Sequence, residues 1–135
     1  MKRREQALLL LRKAAQDEAL LDQVLTSRDV SDEIIGFHCQ QAAEKILKAL
    51  LSDVGVRFRK THDIGALMSL AAEAGHPLPA QFENLDALTP FGAIYRYDDY
   101  DAPVSLDRMA ARDSLRQLRL WLESRLQERT PPTVE

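Results

Sequence analysis

The sequence predicts an all-α fold, an up-and-down antiparallel bundle of four to five helices. Three observations lead there. Apolar residues recur at helical spacing along nearly the whole chain. No stretch shows the sustained alternation and β-branched enrichment of a strand. The segments between the periodic stretches are short, which favours antiparallel neighbours. Residues 1–128 read as one helical domain and 129–135 as a frayed tail.

The first helix is expected from about Glu5 to Leu25, with Leu10, Ala14, Leu21, Val24 and Leu25 on one face. Thr26-Ser27-Arg28-Asp29 breaks it. Ser31 is a good N-cap for the second helix, and Asp32 and Glu33 suit the positive end of its dipole. This helix reaches Asp53 and stops at Gly55. Ile35, Cys39, Ala42, Ile46, Ala49 and Leu50 form one apolar stripe; Ala43, Leu47, Leu51 and Val54 form a second beside it. An apolar arc that wide marks a central helix.

A basic loop with Arg57, Arg59 and Lys60 around Phe58 follows. Such a loop adds local positive charge, and a lone basic cluster of this kind reads as solvated surface. Thr61 is expected to cap a short third helix, with Ile64, Leu67, Met68 and Ala71 inward and Gly75 at its end. His62 and Asp63 then fall in its first turn. A fourth helix is expected over Ala80–Tyr95, with Phe82, Leu85, Leu88, Gly92 and Tyr95 inward; Pro90 should kink or split it near Leu88. Ser105 is expected to cap the last helix, which runs to Gln127 with Ala111, Leu115, Leu118, Leu122 and Leu126 inward.

Composition excludes several functional classes. The chain has 135 residues, 45% of them hydrophobic, enough for a core without disulfide or metal. Its one cysteine, Cys39, forms no internal disulfide, which suits a cytoplasmic setting. No apolar run approaches the ~20 residues of a membrane span, and the N-terminus reads as a helix rather than a signal peptide. A net charge of -3 gives no global field for nucleic acid, so any such contact must be local. His38 and Cys39 point about 100° apart on their helix, and no ligand spacing such as CxxC or HExxH occurs; no metal or cofactor is expected. Cys39 lies on an apolar stripe and reads as an inert core thiol.

Two constellations are chemically dense. Tyr95-Arg96-Tyr97-Asp98-Asp99-Tyr100-Asp101 holds all three tyrosines of the protein around one arginine. A guanidinium beside aromatic faces suits a phosphate and a stacked base. The same spacing also fits a helix end with tyrosines packed inward and aspartates in water. On the second helix, Gln40, Gln41, Glu44 and Lys45 stand among the apolar residues, and His38 is spaced to share a face with Gln41 and Lys45. Gln41, Glu44 and Lys45 are spaced to share a face, which either lines a cleft or forms a solvated edge.

Phe37-His38-Cys39-Gln40-Gln41-Ala42-Ala43-Glu44-Lys45-Ile46-Leu47-Lys48-Ala49-Leu50-Leu51 resembles the second-helix signature of HEPN domains. Thr61-His62-Asp63-Ile64 and Leu88-Thr89-Pro90 followed by Tyr95-Arg96-Tyr97 resemble the same family. The resemblance covers roughly residues 5–127. It implies a helical bundle, usually homodimeric, and for many prokaryotic members a minimal nucleotidyltransferase as partner in a toxin–antitoxin-like pair. It also implies nucleotide or RNA binding, or metal-independent endoribonuclease activity from an arginine followed four to six residues later by histidine. Arg96 matches the arginine. Tyr100, Asp101 and Ala102 stand where the histidine would be, and no histidine follows His76.

The expectation is therefore a nucleotide- or RNA-binding HEPN-type protein without cofactor. Arg96 would contact phosphate, Tyr95, Tyr97 or Tyr100 would stack or orient a base, and Gln41, Glu44, Lys45 and His38 would line the same cleft. The alternatives are a variant ribonuclease using Arg96 and Tyr100 with His38, and a non-enzymatic helical docking module.

Overall fold

A computed structural model describes residues 2–94 and 105–129. Among them are α1 (Lys2–Val24), α2 (Asp32–Asp53), α3 (Ile64–Glu73), a 3-10 segment (Ala80–Leu88), α4 (Phe91–Ile94) and α5 (Arg108–Arg129), and no strand. The all-α bundle is as the sequence predicts.

α2 is the central element, and α1, α3, α4, α5 and the 3-10 segment all pack on it. Its two apolar stripes are buried along their length, only Val54 remaining half-exposed. Ser31 caps it by accepting from the Ile34 N–H at 3.2 Å. Its C-terminus closes with Gly55 at φ +78: Gly55 N–H donates to Ser52 O and Val56 N–H to Leu51 O. α3 ends the same way, with Gly75 at φ +87 and His76 N–H on Ala71 O. Both left-handed positions are ones where a Cβ is disfavoured.

Three boundaries differ from the sequence reading. α3 begins at Ile64, and its cap is Asp63, not Thr61: Asp63 Oδ1 accepts from Ala66 N–H at 3.1 Å. Thr61 Oγ1 instead accepts from Asp63 N–H. The expected fourth helix is two pieces, a 3-10 segment and α4, separated at Thr89-Pro90. Proline has no N–H to donate and disfavours helical backbone in the residue before it. α5 is capped by Asp107 Oδ1 on Ala110 N–H at 3.1 Å, so Ser105 lies outside the helix.

α1 also departs in detail. Its buried row is Ala7, Leu11, Ala14, Glu18 and Leu21, with Leu10, Val24 and Leu25 half-buried beside it. A carboxylate in that row is tolerable because α5 answers it. Glu18 takes Arg112 Nη1 at 2.9 Å and Arg119 Nε at 2.6 Å; Arg112 also grips both oxygens of Asp22. Arg108, at the start of α5, donates to the carbonyls of Leu25, Ser27 and Val30 and to Asp32 Oδ1. One guanidinium thus satisfies the carbonyls of the α1–α2 turn.

Candidate functional site

One row of α2, spaced four residues apart, meets α4, the loop before α3 and the start of α5. Asp32 holds Arg108 and accepts from Leu106 N–H. Gly36 faces the Phe91 ring, and a Cβ there would intrude on the ring itself. Gln40 lies under Gly92, whose added Cβ would come 3.0 Å from the Gln40 amide carbon. Glu44 meets His62, and the Lys48 ammonium lies 5.7 Å from the centre of the Phe58 ring. Side chains four apart are neighbours, so the row is a continuous ridge, or seam, that winds slowly round α2.

The middle of the seam is a buried polar network. Gln40 is 0% exposed and Glu44 6%. Gln40 Nε2 donates to Glu44 Oε1 at 3.0 Å and to the His62 carbonyl at 2.8 Å. Gln40 Oε1 accepts from Gln41 Nε2 at 2.8 Å. Glu44 Oε1 also lies 2.8 Å from His62 Nδ1, and Oε2 accepts from Lys48 Nζ at 2.8 Å. An ionised carboxylate only accepts, so His62 Nδ1 is the donor in this contact. Burial pushes the Glu44 carboxyl up, but the hydrogen bonds from Lys48, His62 and Gln40 outweigh it and hold the group below the usual carboxylate range.

The loop from Gly55 to Asp63 runs back along α2. Phe58 reaches the level of Lys48 and His62 the level of Glu44. At its end, the α3 N-terminus has its first donors filled: Ile64 N–H by Thr89 Oγ1, Gly65 N–H by Asp86 Oδ1 and Ala66 N–H by Asp63. Thr89 Oγ1 donates in turn to Asp86 Oδ1. This lock holds the 3-10 segment against α3 and sets α4 on the seam.

The structure divides the polar residues that the sequence placed on one face. Gln41 and Glu44 join Gln40, His62 and Lys48. His38 and Lys45 turn toward α1 and share Asp17, Lys45 Nζ at 2.6 Å and His38 Nδ1 at 3.3 Å. Glu44 and Lys45 are neighbours in sequence and point about 100° apart. Tyr95, Arg96, Tyr97 and Tyr100 lie outside the described residues, as does the expected Asp98–Pro103 loop. Sequence reasoning left four members of these networks off the candidate site, Gln40, Lys48, His62 and Asp17. Asp17 carried no signal. The spacing of Gln40, Glu44 and Lys48 would have found Lys48, and His62, expected in the α3 first turn, is released from it by the later helix start.

Cys39 is fully buried, and burial pushes its thiol up to about 12, so it stays protonated. Among the described residues no three His, Cys, Asp or Glu side chains gather as a metal-binding group. No described helix is long and apolar enough to cross a membrane. An open groove of about 460 Å³ between α1 and α5, lined by Arg4, Leu8, Arg12 and Glu123 among others, lies apart from the seam.

The architecture is that of a small helical-bundle domain with a polar seam on its central helix. The family model for the HEPN domain matches residues 7–127, and the chain belongs to that family. No curated protein and no solved structure matches the chain.

Proposed function

We propose that this HEPN-family protein binds a nucleotide or RNA at the α2 seam, as a homodimer and as partner of a minimal nucleotidyltransferase in a toxin–antitoxin-like pair. The observation that carries the reading is the seat of α4 beside the buried network of α2. α4 is seated on Gly36 and Gln40 and leads in sequence straight into Tyr95-Arg96-Tyr97. Leu106, ahead of α5, and Arg108, its first residue, are bound to Asp32 of the same helix. The stretches that flank the tyrosine–arginine segment in sequence thus both rest on α2, which also carries the buried network.

In this reading Arg96 holds phosphate, and Tyr95, Tyr97 or Tyr100 stacks on the base. Gln41, half-buried at the edge of the seam, offers its amide to the ligand. Glu44 is saturated by three donors and acts by positioning His62 and Lys48. His38 and Lys45 flank Gln41 on the α1 side, with Asp17 setting their charge balance. Titration with nucleotides and with single-stranded RNA tests the reading: the wild type should bind and Arg96→Ala should not. Unchanged binding in that variant would reject it. Co-purification with a minimal nucleotidyltransferase tests the partnership.

One observation favours a second reading, metal-independent RNA cleavage. His62 is half-exposed and oriented by Glu44, which supplies an imidazole where residues 100–102 have none. Intact RNA after incubation with the purified protein and a chelator would dispose of it.

A further inference from the structure

The loop that joins α2 to α3 contains a stretch of main chain with nothing paired to it. Residues 56–59 form neither helix nor turn, and their burial alternates: Val56 and Phe58 are half-buried, Arg57 and Arg59 exposed. That alternation marks extended backbone, in which residues two apart share a side. Val56 N–H still belongs to the closing turn of α2 and donates to Leu51 O. From Arg57 to Lys60, no backbone N–H or C=O is hydrogen-bonded among the described residues. The rest of the loop is tied down: Gln40 holds the His62 carbonyl, and Thr61 and Asp63 fill the amides at the entry to α3.

The outer side chains are equally uncommitted. Arg57 and Arg59 project together, exposed Lys60 follows, and none of the three has an ion-pair partner among the described residues. By contrast Lys45 and Lys48 of α2 and Arg108, Arg112 and Arg119 of α5 each hold a carboxylate. Arg3 of α1 adds a fourth cation, its guanidinium packed over Gly55 where the loop begins. The acids nearby are already engaged: Asp53 by Arg4, Glu44 by Lys48 and His62, and Asp63 by the Ala66 amide. On a chain of net charge -3, this strip is a local reversal of sign. Its inner side is apolar, with Val56 and Phe58 packed on the core.

Charge alone would suit any polyanion. The unpaired main chain narrows the choice, because a polypeptide offers a matching row of N–H and C=O groups and a nucleic acid does not. Such a segment would lie about 4.8 Å from the strip, as neighbouring strands do, with opposed side chains on one side. Carboxylates at every second position then fall opposite Arg57 and Arg59, and apolar residues between them fall beside Phe58.

We infer that residues 56–60 are a docking strip for an extended, acidic segment of a partner protein, joined by main-chain hydrogen bonds and by alternate carboxylates that meet Arg57 and Arg59. The inference stands apart from any ligand at the seam.

Fluorescence anisotropy of the full chain with a labelled peptide, Thr-Glu-Val-Glu-Val-Glu-Thr, tests it. The controls are Thr-Val-Val-Glu-Glu-Glu-Thr, mixed-sequence single-stranded RNA, and two forms of the first peptide N-methylated on one or the other set of alternate amides. The alternating peptide should bind more tightly than the block peptide. One N-methylated form, the one blocked on the edge that faces the strip, should lose binding, and the other should keep it. The double variant Arg57→Gln, Arg59→Gln should bind the alternating peptide about tenfold more weakly, the worth of two exposed ion pairs together. Both substitutions lie at exposed loop positions, and circular dichroism checks that the fold is kept; the peptide comparisons use wild type throughout. Equal affinity for the alternating, block and both N-methylated peptides would overturn the inference by leaving charge alone. So would no binding of the alternating peptide, or unchanged binding in the double variant. RNA binding that falls in the double variant, with no preference for the alternating peptide over the block, would overturn it in favour of a nucleic acid.

Discussion

His62 and Glu44 face each other across 2.8 Å, an imidazole open to solvent on a carboxylate that is 6% exposed. The pair ties the start of α3 to the middle of α2, and the ionisation of Glu44 becomes a condition of the tie.

Because the folded state holds Glu44 below its ordinary value of 4.5, this group contributes stability that is fully present above 4.5. That contribution is lost as pH falls through the lower folded value. Glu44→Gln should therefore destabilise the protein at neutral pH, and the gap to wild type should narrow steadily in acid. Urea unfolding across a pH series measures it; a gap independent of pH would contradict the network.

Glu18 is 2% exposed and neutralises Arg112, itself 7% exposed. Removing the acid leaves Arg112 only its hold on Asp22, so the loss should approach, without exceeding, about 3–5 kcal/mol, the cost of a buried charge left with no partner. Glu18→Ala should show that loss in denaturant midpoint. Exposed Asp113→Ala, beside Arg116 at 3.8 Å, should change stability by less than about 1 kcal/mol.

Gly36→Ala places a methyl group inside the Phe91 ring, an overpacking cost of about 1–3 kcal/mol. A smaller residue opposite should recover part of it, so the double variant Gly36→Ala with Phe91→Leu should be more stable than the sum of the single changes. Strict additivity in that cycle would mean that the contact is not as described.

Cys39 should resist thiol reagents at pH 8 in the native protein and react promptly in urea, because burial keeps its thiol protonated up to about 12. Rapid native-state labelling would show that α2 opens far more readily than its packing implies.

The core of α2 was legible because its apolar stripes repeat with the helix period and nothing competes with them. Gly55 and Gly75 were equally plain, since only a left-handed turn explains glycine at those ends. The seam was not. Asp32, Gly36, Gln40, Glu44 and Lys48 share a spacing but no common chemistry, and their partners lie far along the chain: Arg108 is 76 residues from Asp32 and His62 is 18 from Glu44. Glu18 escaped for the same reason, its arginines being 94 and 101 residues away. Sequence spacing finds which residues share a face; it does not find what a distant segment brings to that face.

The moorings at Gln40 and Asp32 have a thermodynamic corollary. Eight helical residues separate them, about 12 Å of rigid rod. Gly92 of α4 and Leu106 ahead of α5 both rest on that rod, so the entropy of placing one relative to the other is spent once, when α2 folds.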